Sequence, residues 1–81
     1  MKRQEYVIKG GLYQHYKGNY YEVIDCGRSS ETLELMVIYK ALYNPEEFGH
    51  YQVWVRPLEM FLSTVKVDEE EVPRFKFIGS E

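Results

Sequence analysis

Eighty-one residues with a formal net charge of −3 suffice for one hydrophobic core and leave no room for a second. Ten basic residues stand against thirteen acidic ones and are scattered singly, which argues against a general nucleic-acid binder, since that role rewards clustered Lys and Arg. The single cysteine, Cys26, excludes an intramolecular disulfide and a cysteine-built zinc cage, and it suits a reducing compartment.

The chain opens on Met1-Lys2-Arg3-Gln4-Glu5, charged and followed by no apolar stretch of leader or membrane-spanning length. Residues 1–8 read as a frayed segment, in which Tyr6-Val7-Ile8 adds a short extended piece ended by Gly10-Gly11. A cytoplasmic protein is expected. Leu12 to Tyr16 and Tyr20 to Cys26 read as two strands of a hairpin, because Lys17-Gly18-Asn19 between them tolerates positive φ. Gly27 to Thr32 is polar and reads as a loop. In Leu33 to Leu42, the positions Leu33, Met36, Val37 and Ala41 fall near helical spacing, but Lys40 breaks that stripe and no capping box precedes it. The run Met36-Val37-Ile38-Tyr39 favours a buried strand.

Asn44 to Gly49 is a second loop, punctuated by Pro45 and Gly49. His50 to Arg56 reads as a strand, and Pro57 holds Arg56 extended while fitting the first turn of a helix. Leu58, Phe61, Leu62 and Val65 recur at helical spacing, which predicts a helical turn over Pro57 to Leu62 with this stripe in the core. Thr64 to Asp68 returns to strand, and the acidic run Asp68 to Glu71 reads as a solvated turn. Val72 to Ile78 makes the last strand, with Arg74/Lys76 alternating against Phe75/Phe77. The sum is a mostly β single domain, residues 1–81, of five to six antiparallel strands and one short helical turn, arranged as a small barrel or strongly bent sheet. Eight tyrosines, four phenylalanines and one tryptophan supply the mass of its core.

Four strings occur in a telling order: His15-Tyr16-Lys17-Gly18, Ser30-Glu31-Thr32, Trp54-Val55-Arg56-Pro57 with Met60-Phe61, and Pro73-Arg74-Phe75. Together they resemble a family of short bacterial proteins, the domain of unknown function 1653. The resemblance covers about residues 11–78 and implies an SH3-like barrel, with no activity and no catalytic residues to carry over. Members of that family often place a His just before the Ser-Glu-Thr string, where this chain has Ser29.

Alternate residues of a strand share a face, so Gln52, Trp54 and Arg56 point one way and Tyr51, Val53 and Val55 the other. The valine face is the expected core. That leaves an indole between an amide and a guanidinium, able to stack on and hydrogen-bond a planar or anionic ligand; the competing reading is a tryptophan that caps a minor core. Arg28, Ser30, Glu31 and Thr32 form a second candidate, a hydroxyl-rich loop able to hold phosphate or carboxylate, against a reading as ordinary turn formers. His15, at a hairpin end, is the third, against a packing role. Tyr13, Tyr39, Tyr43 and Trp54 are candidate walls of an aromatic groove.

No catalytic constellation emerges. Cys26 sits among apolar neighbours, where a thiol behaves as a small hydrophobe, and His15 and His50 lack metal-ligand spacing. No phosphate loop or nucleophile elbow occurs, so no metal and no cofactor are expected. The leading expectation is a non-catalytic binding module for a peptide, protein or small anionic ligand. The alternatives are nucleic-acid binding through a local patch of Lys17, Arg28, Arg56, Arg74 and Lys76, or a small enzyme for a nucleotide or metabolite with His15 and Glu31 as proton-transfer groups. Oligomeric state is not indicated.

Overall fold

The computed structural model describes residues 7–42 and 51–80. Most of the predicted N-terminal segment, the predicted loop Asn44 to Gly49, and Tyr43 and His50 lie outside the described residues.

Strand β1 (Gly11–His15) pairs with β2 (Tyr20–Arg28) as the predicted hairpin. Its turn closes through Gly18 N–H to His15 O at 2.7 Å and His15 N–H to Asn19 O at 2.8 Å. Gly18 stands at φ 110°, a conformation that a side chain would strain. Strand β3 (Leu35–Ala41) confirms the strand reading of the ambiguous segment and pairs with β2 over seven residues of each partner. Strand β4 (Val53–Pro57) follows, then helix α1 (Leu58–Phe61), which starts where Pro57 predicts.

The C-terminal third differs from expectation. Strands β5 (Thr64–Val67) and β6 (Glu70–Pro73) form a separate hairpin, and β7 (Phe75–Ser80) joins the main sheet beside β1. The predicted acidic turn is therefore shorter: Asp68 and Glu69 make a two-residue turn at φ 49° and 67°, while Glu70 and Glu71 pair as strand. The predicted last strand is broken at Arg74. Its backbone ties the two sheets together, with Arg74 N–H donating to Ser63 O and Tyr16 N–H donating to Arg74 O, each at 2.9 Å.

Among the described residues seven strands thus replace the expected five to six, in a five-stranded antiparallel sheet of order β4-β3-β2-β1-β7 and the two-stranded β5-β6 sheet. No pairing among the described residues joins β4 to β7, so hydrogen bonds do not close the sheet into a barrel. The core lies on one face of the large sheet, where β3 alternates buried Val37, Tyr39 and Ala41 with more accessible residues. Phe61 of α1 is fully buried against that face. It stacks on Phe75 with centroids 4.1 Å apart at 4° and meets Tyr13 and Tyr39 edge-on at 5.3 Å each. Burying such a ring contributes about 1.5–3 kcal/mol, which explains how a four-residue helix holds its place. The hydroxyl of fully buried Tyr13 accepts a hydrogen bond from Ile8 N–H at 3.1 Å, so Tyr13 is core rather than the expected groove wall. Cys26 is likewise not a packed hydrophobe: β2 shifts register between Val23 and Asp25, and the thiol beyond that shift is exposed.

Candidate functional site

Strand β4 pairs Trp54 with Tyr39 and Arg56 with Val37. Directly opposite residues share a face, and both partners are core residues, so Trp54 and Arg56 turn inward. The predicted alternation is right and its phase is inverted. Val53 and Val55, expected in the core, are 45% and 57% exposed. The reason lies in β4's place at the sheet edge, where the inner face is only half covered. A long stem can lie over the aromatic cluster there with its polar head at the surface.

The consequence is a cleft of about 180 Å³ lined by His15, Tyr21, Tyr39, Trp54, Arg56 and Phe75. Each side chain arrives from a different place in the sheet. His15 is the last residue of β1 and pairs with Phe75 of β7; Tyr21 is the second residue of β2; Tyr39 sits mid-β3. Arg56 is half-buried. Its Nε donates to the Tyr39 hydroxyl at 3.2 Å, and its guanidinium carbon lies 5.6 Å from the Phe75 ring centroid. Among the described residues no carboxylate pairs with Arg56; the one ion pair there joins Lys9 and Asp25 at 3.6 Å, elsewhere on the surface.

His15 forms a second polar wall. Its ring meets Phe75 edge-on at 4.9 Å and lies 4.6 Å from Tyr16. Lys17 N–H donates to His15 Nδ1 at 3.2 Å, which assigns Nδ1 as the acceptor and leaves Nε2 to carry the proton. Burial, followed by the charges of Arg56, Arg74 and Lys17, pushes the His15 pKa below its ordinary value. Neutral His15 is therefore an N–H donor at pH 7, set in a positive local field despite the acidic chain. Tyr39 Oη, already accepting from Arg56, keeps its own proton to donate. Donors and a cation between ring walls fit a planar anionic group. At about 180 Å³ the cleft is smaller than the roughly 300–1,000 Å³ of drug-sized sites, so it suits a functional group rather than a whole cofactor.

Four of the predicted site residues, His15, Tyr39, Trp54 and Arg56, thus come together. Gln52 does not line the cleft; its Nε2 donates to Val53 O at 3.2 Å. The Arg28 to Thr32 loop is also elsewhere, in the turn between β2 and β3, and its groups are spent locally. Arg28 Nη1 donates to Leu33 O at 2.8 Å, the Ser29 hydroxyl accepts from Glu31 and Thr32 N–H at 3.3 Å each, and Ser30 Oγ donates to Glu31. Glu31 consequently does not share the cleft with His15. Of the predicted basic patch, Lys17, Arg56 and Arg74 all act on His15, whereas Arg28 belongs to that turn. Among the described residues no group of His, Cys, Asp and Glu is arranged to hold a metal ion, and no helix is long and apolar enough to cross a membrane. Tyr21 and Phe75 were missed as cleft residues. Their signal was the spacing Tyr21/Val23 and Phe75/Phe77, which marks the inner face of each strand.

The family model described as "Protein of unknown function (DUF1653)" matches residues 11–77. A crystal structure of a DUF1653 protein from Bordetella bronchiseptica is similar at 29% sequence identity and a TM-score of 0.79, over 96% of this chain and 96% of that one. No curated protein matches the chain.

Proposed function

The chain belongs to the DUF1653 family, and within it we propose a non-catalytic binding module whose cleft takes a small anionic group, a carboxylate first, borne by a peptide, protein or small ligand. The observation that carries this reading is Arg56, a half-buried guanidinium held by Tyr39 and Phe75 with no carboxylate partner among the described residues. A charge kept partly out of water without a counter-charge costs free energy, and an incoming carboxylate supplies the missing partner through charge-assisted hydrogen bonds. The walls favour a flat group over a tetrahedral one. We further read the fold as an open SH3-like barrel in a bacterial, cytoplasmic protein. Its antiparallel order β4-β3-β2-β1-β7, the helical turn after β4 and one exposed thiol support that reading.

The test is a titration of the protein with sodium acetate, followed by ¹H–¹⁵N NMR at constant ionic strength with chloride and phosphate as comparisons. Acetate is expected to shift the Trp54 indole N–H and the His15 and Tyr39 amides saturably, phosphate more weakly and chloride not at all. Shifts that never saturate, or that spread evenly over the sheet, would end the reading.

A further inference from the structure

We propose that the partner is an extended protein segment, acidic at alternate positions, that adds as a strand to the outer side of β4 and sets a carboxylate against Arg56. This rests on the anion-binding reading of the cleft and names what carries the anion.

The phase of the ladder shows what β4 offers. Ala41 N–H donates to Gln52 O at 2.8 Å, so Gln52 faces β3 with its backbone groups. In an antiparallel ladder this role alternates: Trp54 and Arg56 also bond inward, while Val53 and Val55 direct N–H and C=O to the open side. Pro57 has the same outward phase and no N–H, which ends the docking edge there. Among the described residues no strand pairs with that side. Among the described residues the edge group already engaged is Val53 O, held by the Gln52 amide at 3.2 Å, a bond that an incoming strand would replace.

Cross-strand partners share a face and stand about 4.5–5.5 Å apart. A residue added opposite Arg56 therefore enters the cleft side, and an Asp or Glu there meets the guanidinium. Residues added opposite Val53 and Val55 fall on the outer face, where β-branched side chains cover two exposed valines. This predicts a recognised pattern of alternating apolar and acidic residues, the strand-addition mode of peptide binding. Charge complementarity argues against a second copy of this chain as the occupant. Antiparallel pairing of β4 with itself that uses both valines puts Arg56 opposite Gln52 and Trp54 opposite Trp54, which leaves both guanidinium groups without a carboxylate.

The probe is the peptide acetyl-Ser-Val-Glu-Val-Glu-Val-Ser-amide, with Lys in place of Glu as its control, read by amide hydrogen exchange in the intact protein. Saturating acidic peptide is expected to slow exchange at Val53 and Val55 at least tenfold, and acetate to leave it unchanged. Val55→Pro removes an outward donor and no bond to β3, so it should abolish peptide protection while acetate still shifts Trp54. If that variant does not fold, Val55→Glu, at an exposed position, should weaken the acidic peptide at least tenfold by repulsion. Acetate binding without peptide protection, equal protection by the Lys peptide, or concentration-dependent protection without peptide (a second copy on the edge) would each overturn the inference and spare the cleft. Failure of acetate itself would remove the reading beneath it.

Discussion

Arg56→Met separates the binding role of the guanidinium from its structural one. The variant keeps a similar apolar stem over Phe75 and deletes the charge. On the stability side it loses one hydrogen bond to Tyr39 Oη, long at 3.2 Å, and a cation–ring contact at 5.6 Å. Hydrogen bonds to charged groups contribute roughly 1.5–3 kcal/mol when well formed, and a half-exposed cation–ring contact about 0.5–1 kcal/mol. The bond here is long and the site is wet, so about 1–2 kcal/mol in total is expected. No buried counter-charge is orphaned, and Tyr39 can turn its hydroxyl to water. Against roughly 4–12 kcal/mol for a domain of this size, the variant stays folded. On the binding side, a hydrogen bond to a charged group contributes about 1.5–3 kcal/mol, a loss of about tenfold or more in acetate affinity. Urea denaturation gives the first quantity and NMR titration at Trp54 the second. Acetate affinity kept within threefold, in a folded variant, would refute the assignment of Arg56 as anion holder. Outright unfolding would show the guanidinium to be a keystone of the aromatic cluster instead.

Stability should depend on pH through His15. Its folded pKa lies below the ordinary 6.5, so between the two values the unfolded chain binds more protons and stability rises with pH. The contribution is complete above about pH 6.5 and is lost as pH falls through the folded value; urea midpoints at several pH values should show this slope flattened in His15→Gln. Gly11→Ala should lower stability by about 1–3 kcal/mol through overpacking. A Cβ there would stand 2.7 Å from Ile8 O and 3.0 Å from the Tyr13 ring, and an unchanged melting temperature would refute that geometry. Glu69→Gly should raise the melting temperature by a few degrees, because Glu69 sits at φ 67° in a turn of the kind that prefers glycine.

Local chemistry carried the reading of the fold as far as element type. Turn residues at Gly18, the proline before α1 and the spacing of Leu58 and Phe61 each report on their own neighbourhood, and each element they mark is present. Pairing is a different matter. Nothing local says that Val72 and Phe75, three residues apart, belong to different sheets, because the break is made by Arg74 bonding across to Ser63 and Tyr16. The same limit applies to Cys26, whose exposure follows a register shift in β2 that only its pairing with β3 defines. Four of the six cleft residues were legible as site candidates, but not as one site, for a similar reason. Trp54 and Arg56 share a face by alternation alone, whereas their meeting with His15 and Phe75 depends on the order of strands.

The inverted phase of β4 links these points. Hydrophobicity alone puts Val53 and Val55 inside, but the register places Val37 and Tyr39 opposite Arg56 and Trp54, and partners must share a face. Laying the arginine stem over Phe75 and setting the indole at the cleft wall, where it stays 38% exposed, takes precedence over burying two smaller valines. What remains is two exposed β-branched residues on the open side of an edge strand. Natural edges are usually blunted by lysine, bulges, proline or brevity. At the opposite edge, β7 carries Lys76 and Gly79 and shifts register against β1. Strand β4 has no lysine, and its proline stands at the far end. One sheet thus has a guarded edge and an apolar one, and the apolar edge is the one whose inner face holds Arg56, a cation with no carboxylate partner among the described residues. A strand evolved only to end the sheet would more readily carry charge outward and valine inward, and β4 does the opposite.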